Sequence, residues 1–205
     1  MNAFKLIAVL CMIGCSLNLS FAQNLHAKLV SPHDRRLQGN PAFIANEGLI
    51  VMNAESVPIV EPWKFEKNVV GYSGPGFIRF DGNSDKGGSP NGMLSYFFQI
   101  DTPGRYEMTM RVRKNIPYNS HLGNDCYVRV PGQPDYLGKL TKAFLPGSMP
   151  NDTWRWFTRL EVDHDKGIFP NPVYDFGVGT YELQVWGRCT YSIFVVVVTF
   201  HLDLR

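Results

Sequence analysis

Charge is scarce in this chain of 205 residues: 19% of the side chains are Asp, Glu, Lys or Arg, and the formal net charge is only +2. So small a basic excess argues against a dedicated nucleic-acid binder. Cysteine is scarcer, with four in all, and two of them, Cys11 and Cys15, fall in the first fifteen residues. That excludes a disulfide-dense scaffold. A chain of this length buries a core without one. Cys126 and Cys189 read either as one disulfide or as buried thiols on neighbouring strands. Long apolar runs are also missing; the one from Leu6 to Ile13 is too short to span a membrane. No segment beyond it keeps a 3.6-residue apolar period over three turns. Catalytic signatures are absent too. There is no Gly-x-Ser-x-Gly elbow, no phosphate loop with Lys and no His-Glu-x-x-His pair. The five histidines stand far apart, without ligand spacing.

What the chain has is aromatics (13%), 19 Gly and 14 Pro. This is the composition of a turn-rich globular domain. Residues 1–22 read as an export signal: Lys5, an apolar stretch, then small residues at Ser20-Phe21-Ala22. Cleavage after Ala22 is expected, placing the protein outside the cell or in the periplasm. Lipidation at Cys15 is the competing reading. Residues 23–48 are mixed and polar and form an N-terminal extension; 49–205 form the domain.

Period-two alternation recurs through that domain. Tyr106, Met108, Met110 and Val112 share one face of Arg105–Arg113, and Tyr181, Leu183 and Val185 share one face of Thr180–Arg188. Trp154 to Val162 alternates likewise, which places Trp156 in the core with Leu160 and Val162. Further strands are expected at Leu49–Glu55, Phe77–Phe80, Leu94–Ile100, Asp125–Val130 and Ile193–His201. Asp81-Gly82-Asn83, Thr102-Pro103-Gly104 and Gly177-Val178-Gly179 supply the turns. Many short strands with such punctuation predict an all-β fold, an antiparallel β-sandwich of jelly-roll form.

A sugar site needs an aromatic platform beside a few fixed donors and acceptors. Tyr118, Asn119 and Asn124 in one loop fit, as do Arg188 and Tyr191 at the C-terminal corner, and Trp154. Trp154 stands at a strand start, where rim and core are both open to it. Trp186 falls on the polar-phase face with Gln184.

Taken in order, several segments resemble the galactose-binding-like carbohydrate-binding modules of families 6 and 35, and the C-terminal domain of glucuronidase-type glycoside hydrolases. They are Leu49-Ile50-Val51-Met52-Asn53-Ala54-Glu55, Gly71-Tyr72-Ser73-Gly74-Pro75-Gly76, Pro103-Gly104-Arg105-Tyr106, Asn124-Asp125-Cys126-Tyr127, Trp154-Arg155-Trp156 and Gly179-Thr180-Tyr181-Glu182. The resemblance covers about Leu49 to Phe200. It implies a β-sandwich that binds polysaccharide without cleaving it. It also implies a structural calcium ion held by an acidic pair on the first strand and an Asp on the last. Only Glu55 of that set is present; Asn53, Val195 and Val196 replace the others. Calcium takes several oxygen ligands, so a weak calcium effect or none is expected.

The expected function is therefore a secreted, non-catalytic carbohydrate-binding module for a polysaccharide, with a uronate-containing one suited to Arg188. Tyr118 or Trp154 would stack on a sugar, and Asn119 and Asn124 would bond its hydroxyls. No nucleic acid and no membrane span are expected. A structural or adhesive sandwich without glycan binding is one alternative. A jelly-roll polysaccharide lyase using Tyr118, His121, Asn119 and Arg188 is another.

Overall fold

Strands form where the alternation is strongest, because each then buries one face and wets the other. The computed structural model describes residues 43–84, 87–113, 125–133, 141–144, 153–156, 158–163, 165–190 and 197–202. Two sheets pack face to face. Sheet A contains β1 (Phe43–Ile44), β5 (Asn91–Ile100), β12 (Gly179–Gly187), β7 (Asp125–Arg129), β8 (Thr141–Phe144) and β10 (Arg159–Glu161), in that order. Sheet B runs β11 (Val173–Phe176), β6 (Gly104–Val112), β13 (Val197–Leu202) and β2 (Leu49–Asn53), with β9 (Arg155–Trp156) paired to β6. All pairs are antiparallel except β1 with β5. A separate hairpin joins β3 (Trp63–Glu66) to β4 (Phe77–Phe80). The expected all-β sandwich is present. Among the described residues no helix is long and apolar enough to cross a membrane.

The core lies between the sheets. Sheet A supplies Leu94, Tyr96, Phe98, Ile100, Val128, Leu183 and Val185; sheet B supplies Ile50, Met52, Tyr106, Met108, Met110 and Val112, all buried. Each such side chain contributes roughly 1.5–3 kcal/mol when removed from water. Buried hydroxyls are bonded: Tyr96 donates to the Ala54 carbonyl and Tyr106 to that of Thr102, each at 2.7 Å. Phe43 and Ala45 also enter the core. The packed unit thus includes Phe43 and runs along the sheet A edge ahead of Leu49. Cys126 and Cys189 are free, buried thiols. Of the two sequence readings, the disulfide is not formed.

One expected strand is divided. Trp154–Val162 was read as a single run with Trp156 facing inward. Instead Trp156 is 51% exposed while Thr158 and Leu160 are buried. The cause is a change of sheet: β9 pairs with β6 in sheet B, and β10 pairs with β8 in sheet A. Crossing between sheets reverses which parity of residues faces the core. The hydroxyl of Thr158 marks the crossing, accepting the buried Met110 N–H at 2.9 Å.

The short connections place the strand ends. β5 turns into β6 through 101–103, and β11 into β12 through 177–178. The opposite end of the sandwich therefore holds the C-terminal ends of β6 and β12 and the N-terminal ends of β7 and β13. Residues 114–124 and 191–196, which join these strand ends in sequence, lie outside the described residues.

Candidate functional site

Across the outer face of sheet B, at this loop-bearing end, the register aligns Asn53, Val197, Arg111 and Trp156 on four adjacent strands. Three strand spacings make the row about 14 Å long. The connection between β3 and β4 crosses part of it. Phe77, fully buried, gathers Val51, Val69, Tyr72 and Trp154 into a small cluster under this connection. Trp154 meets Phe77 edge to face at 5.8 Å between centroids, and its indole N–H donates to the Val70 carbonyl at 2.9 Å. The Arg111 guanidinium lies over the Trp154 ring, 5.5 Å from its centroid. Nη2 of Arg111 donates to the Gly71 carbonyl at 2.7 Å, and Nη1 to the Ser73 hydroxyl at 3.3 Å. Gly71 has φ of +86°, and a Cβ there would fall 3.1 Å from Cδ1 of Trp154. Only glycine lets the connection lie this close.

Beneath the same connection, in the turn that follows β2, is an unusual carboxylate. Both oxygens of Glu55 are shielded from solvent and find no hydrogen-bond partner in another described residue. Burial pushes the Glu55 carboxyl from 4.5 up to about 7. Gly74, at φ +78°, closes over it, with a Cβ position 2.9 Å from Oε1 of Glu55 and 3.8 Å from Nδ2 of Asn53. An orphaned carboxylate beside a side-chain amide and a backbone turn fits a hard cation. Among the described residues no three His, Cys, Asp or Glu side chains group around a metal position; Glu55 is the carboxylate that Gly74 and Asn53 enclose.

The corner after β12 is built differently. Nη1 of Arg188 donates to both oxygens of the buried Asp125, at 2.9 and 2.7 Å. The Cys189 thiol also donates to Oδ1 of Asp125, at 3.0 Å. Burial works against the Arg188 charge, but the Asp125 carboxylate outweighs it and raises the guanidinium pKa. Burial pushes the Cys189 thiol up to about 12. The β4–β5 connection docks here: Nδ2 of Asn83 donates to the Arg188 and Ser89 carbonyls, and the Tyr127 hydroxyl donates to that of Gly88.

Of the residues singled out from sequence, Trp154, Arg188 and Glu55 are described. Trp154 and Arg188 lie at the same end of the sandwich, on different sheets. Trp154 is half-buried as a fastener of the β3–β4 connection, between the rim and core readings. Arg188 already holds an internal carboxylate. Tyr118, Asn119, Asn124, Tyr191, Val195 and Val196 lie outside the described residues. Trp156 and Arg111 were missed as a pair. Alternation did place Arg111 on the outer face of its strand. Only the change of sheet brings Trp156 beside it.

No family model matches the chain, and no curated protein matches it. Solved structures do. A GH26-CBM35 β-(1,4)-mannanase of Podospora anserina aligns with a TM-score of 0.53 and 12% identity, over 78% of this chain and 29% of that one. A family 35 carbohydrate binding module from Clostridium thermocellum aligns at 0.52 and 13%, over 76% of this chain and 98% of the module. An isomalto-dextranase of Arthrobacter globiformis T6, complexed with panose, aligns at 0.51 and 15%, over 76% of this chain and 23% of that one. The chain thus spans less than a third of the two enzymes but matches nearly all of the module. The fold is that of the galactose-binding-like carbohydrate-binding modules.

Proposed function

Taking that fold as premise, we propose that the protein is a non-catalytic module that binds a polysaccharide at the loop-bearing end of the sandwich. The carrying observation is Trp156, a large aromatic ring left half exposed on a sheet surface. A buried platform would have no partner outside the protein; an exposed one offers a flat apolar face that suits the C–H face of a sugar. The segments carrying Tyr118, Asn119, Asn124 and Tyr191 leave from strand ends at this same end. In this proposal those residues would supply further stacking and hydroxyl contacts. The β-sandwich supplies a rigid base, so a ligand does not have to order it.

The full chain on a glycan array tests this. The expected result is retention of one polysaccharide class, reduced in Trp156→Ala and in Tyr118→Ala. A folded protein that retains no glycan would leave the structural or adhesive reading in its place. A uronate-containing polysaccharide is the narrower expectation. Export by the 1–22 leader, with a mature start at Gln23, completes the proposal and puts the module where polysaccharides are. Intact mass of the secreted product checks it, and a lipid-modified chain starting at Cys15 would overturn it.

A calcium ion is part of the same proposal. Glu55 would ligate it, with the Asn53 side-chain oxygen and backbone carbonyls completing the shell. When bound, the ion would neutralise a buried carboxylate and tie the β3–β4 connection to β2.

A further inference from the structure

The β3–β4 hairpin is a ribbon of its own, and among the described residues β3 pairs with β4 alone. The ladder fixes which backbone groups face the other edge of β3. The Asp81 N–H donates to the Pro62 carbonyl at 3.1 Å, and bonded and non-bonded pairs alternate along an antiparallel ribbon. Lys64 and Glu66 therefore exchange bonds with β4, whereas the N–H and C=O of Phe65 point away from it. That edge is open to solvent: Phe65 is 43% exposed, and Lys64 and Lys67 are exposed beside it. We propose that β3 is a dimerisation edge, on which β3 of a second copy of this chain pairs antiparallel across a two-fold axis at Phe65. The proposal goes beyond the glycan-binding reading and does not depend on it.

The charge pattern carries the inference. Trp63-Lys64-Phe65-Glu66-Lys67 is complementary to itself in this register. With Phe65 opposite the partner's Phe65, the two residues exchange both backbone bonds. Lys64 then faces the partner's Glu66, and Glu66 faces the partner's Lys64. Opposed charges of unlike sign stabilise a strand pair, and like charges destabilise it. Outward-facing residues have to meet outward-facing ones, so the strands slide by two residues at a time. One such slide sets Lys64 against the partner's Lys64, and the other sets Glu66 against the partner's Glu66. A Lys on an edge strand ordinarily discourages pairing; here a Glu two residues along answers it in a second copy. The contact is isologous and closes on itself.

The edge is ordered before any partner arrives. Lys64 is held by Asp81 at 2.6 Å and Glu66 by Arg79 at 2.7 Å, so both sit on one face of the ribbon. On the other face the Phe65 ring lies against Gly76, where a Cβ would collide with it. The Lys67 ammonium lies over the same ring, 5.4 Å from its centroid. Side chains already fixed lose little freedom on association. One short strand per copy makes an interface smaller than the standard one of roughly 1,200–2,000 Å², so the dimer should dissociate on dilution.

Sedimentation velocity of the full chain from about 1 μM to about 1 mM tests this. The expected result is a shift from monomer to dimer as concentration rises. Lys64→Glu and Glu66→Lys should each weaken the dimer tenfold or more, because each sets like charges opposite one another at two places. An equimolar mixture of the two variants should recover it, since every charge then meets its opposite; recovery also shows that both variants fold. In the parent protein, hydrogen exchange at the Phe65 amide should slow as concentration rises. That readout needs no variant, and it decides if the variants fail to fold. A parent that stays monomeric at about 1 mM, a dimer that both variants leave unchanged, or Phe65 exchange that is indifferent to concentration overturns the inference. So does growth into assemblies larger than a dimer.

Discussion

At the residue scale, the two tryptophans of Trp154-Arg155-Trp156 have separate jobs, and their alanine variants should separate accordingly. Trp154 touches Phe77, Gly71 and Arg111 and anchors Val70 through its indole N–H. Trp154→Ala should cost about 2–3 kcal/mol by chemical denaturation, below the usual range for a fully buried ring because it is half exposed. Trp156→Ala should stay within about 0.5 kcal/mol of the parent and lose ligand instead. A stable Trp154→Ala protein would show that the connection is held by other contacts. Glu55 gives a second prediction. Its folded pKa, about 7, exceeds the ordinary 4.5. Between these values the folded state holds a proton that the unfolded state has released. Stability therefore falls as pH rises from about 4.5 to about 7, and the loss is complete above that. In chelator, the melting temperature should drop across this window, and Glu55→Gln should flatten the drop. Calcium at pH 8 should restore it by binding the folded state. No calcium response at pH 8 would return the site to the weak-or-absent expectation drawn from Asn53 and Val195.

At the element scale, the change of sheet between β9 and β10 depends on one side-chain acceptor. Thr158→Val keeps the shape but leaves the Met110 N–H buried and unbonded, which should cost about 1–3 kcal/mol. Denaturant unfolding of that single variant checks it; a change under about 0.5 kcal/mol would mean that water or backbone takes over the bond. The same element explains what the sequence could and could not reveal. β4 was legible to the residue from its apolar run closed by Asp81-Gly82-Asn83, and β6 and β12 to within one, because those two bury one parity along most of their length. Trp154–Val162 kept its alternation too, but alternation is silent about which sheet a strand joins. The segment's first half therefore faced out where one face was expected in. β1 has two residues, too few for a pattern to stand out. The candidate site was half legible. Trp154 was marked by type and position, whereas Arg111 looked like any outward charge until its contacts with Gly71, Ser73 and the Trp154 ring became visible.

At the scale of the whole molecule, both thiols are sealed in the structure, Cys189 against Asp125 and Cys126 deep in sheet A. Burial raises both thiol pKa values, so neither offers a reactive thiolate at neutral pH. Alkylation should be negligible in native buffer and should track global unfolding as denaturant is added; rapid native labelling would mean that the Arg188 corner opens locally. The strand order of sheet B has a kinetic corollary. β13 lies between β2 and β6, pairing with both, yet it is last along the chain, and its partner β2 begins at Leu49. Sheet B cannot close until residues 197–202 have emerged, however early β2 and β6 are made. Such long-range closure belongs to slowly folding topologies. A growing chain therefore cannot complete the sheet surface that carries Trp156 until residues 197–202 are free to slot in between two strands made long before them.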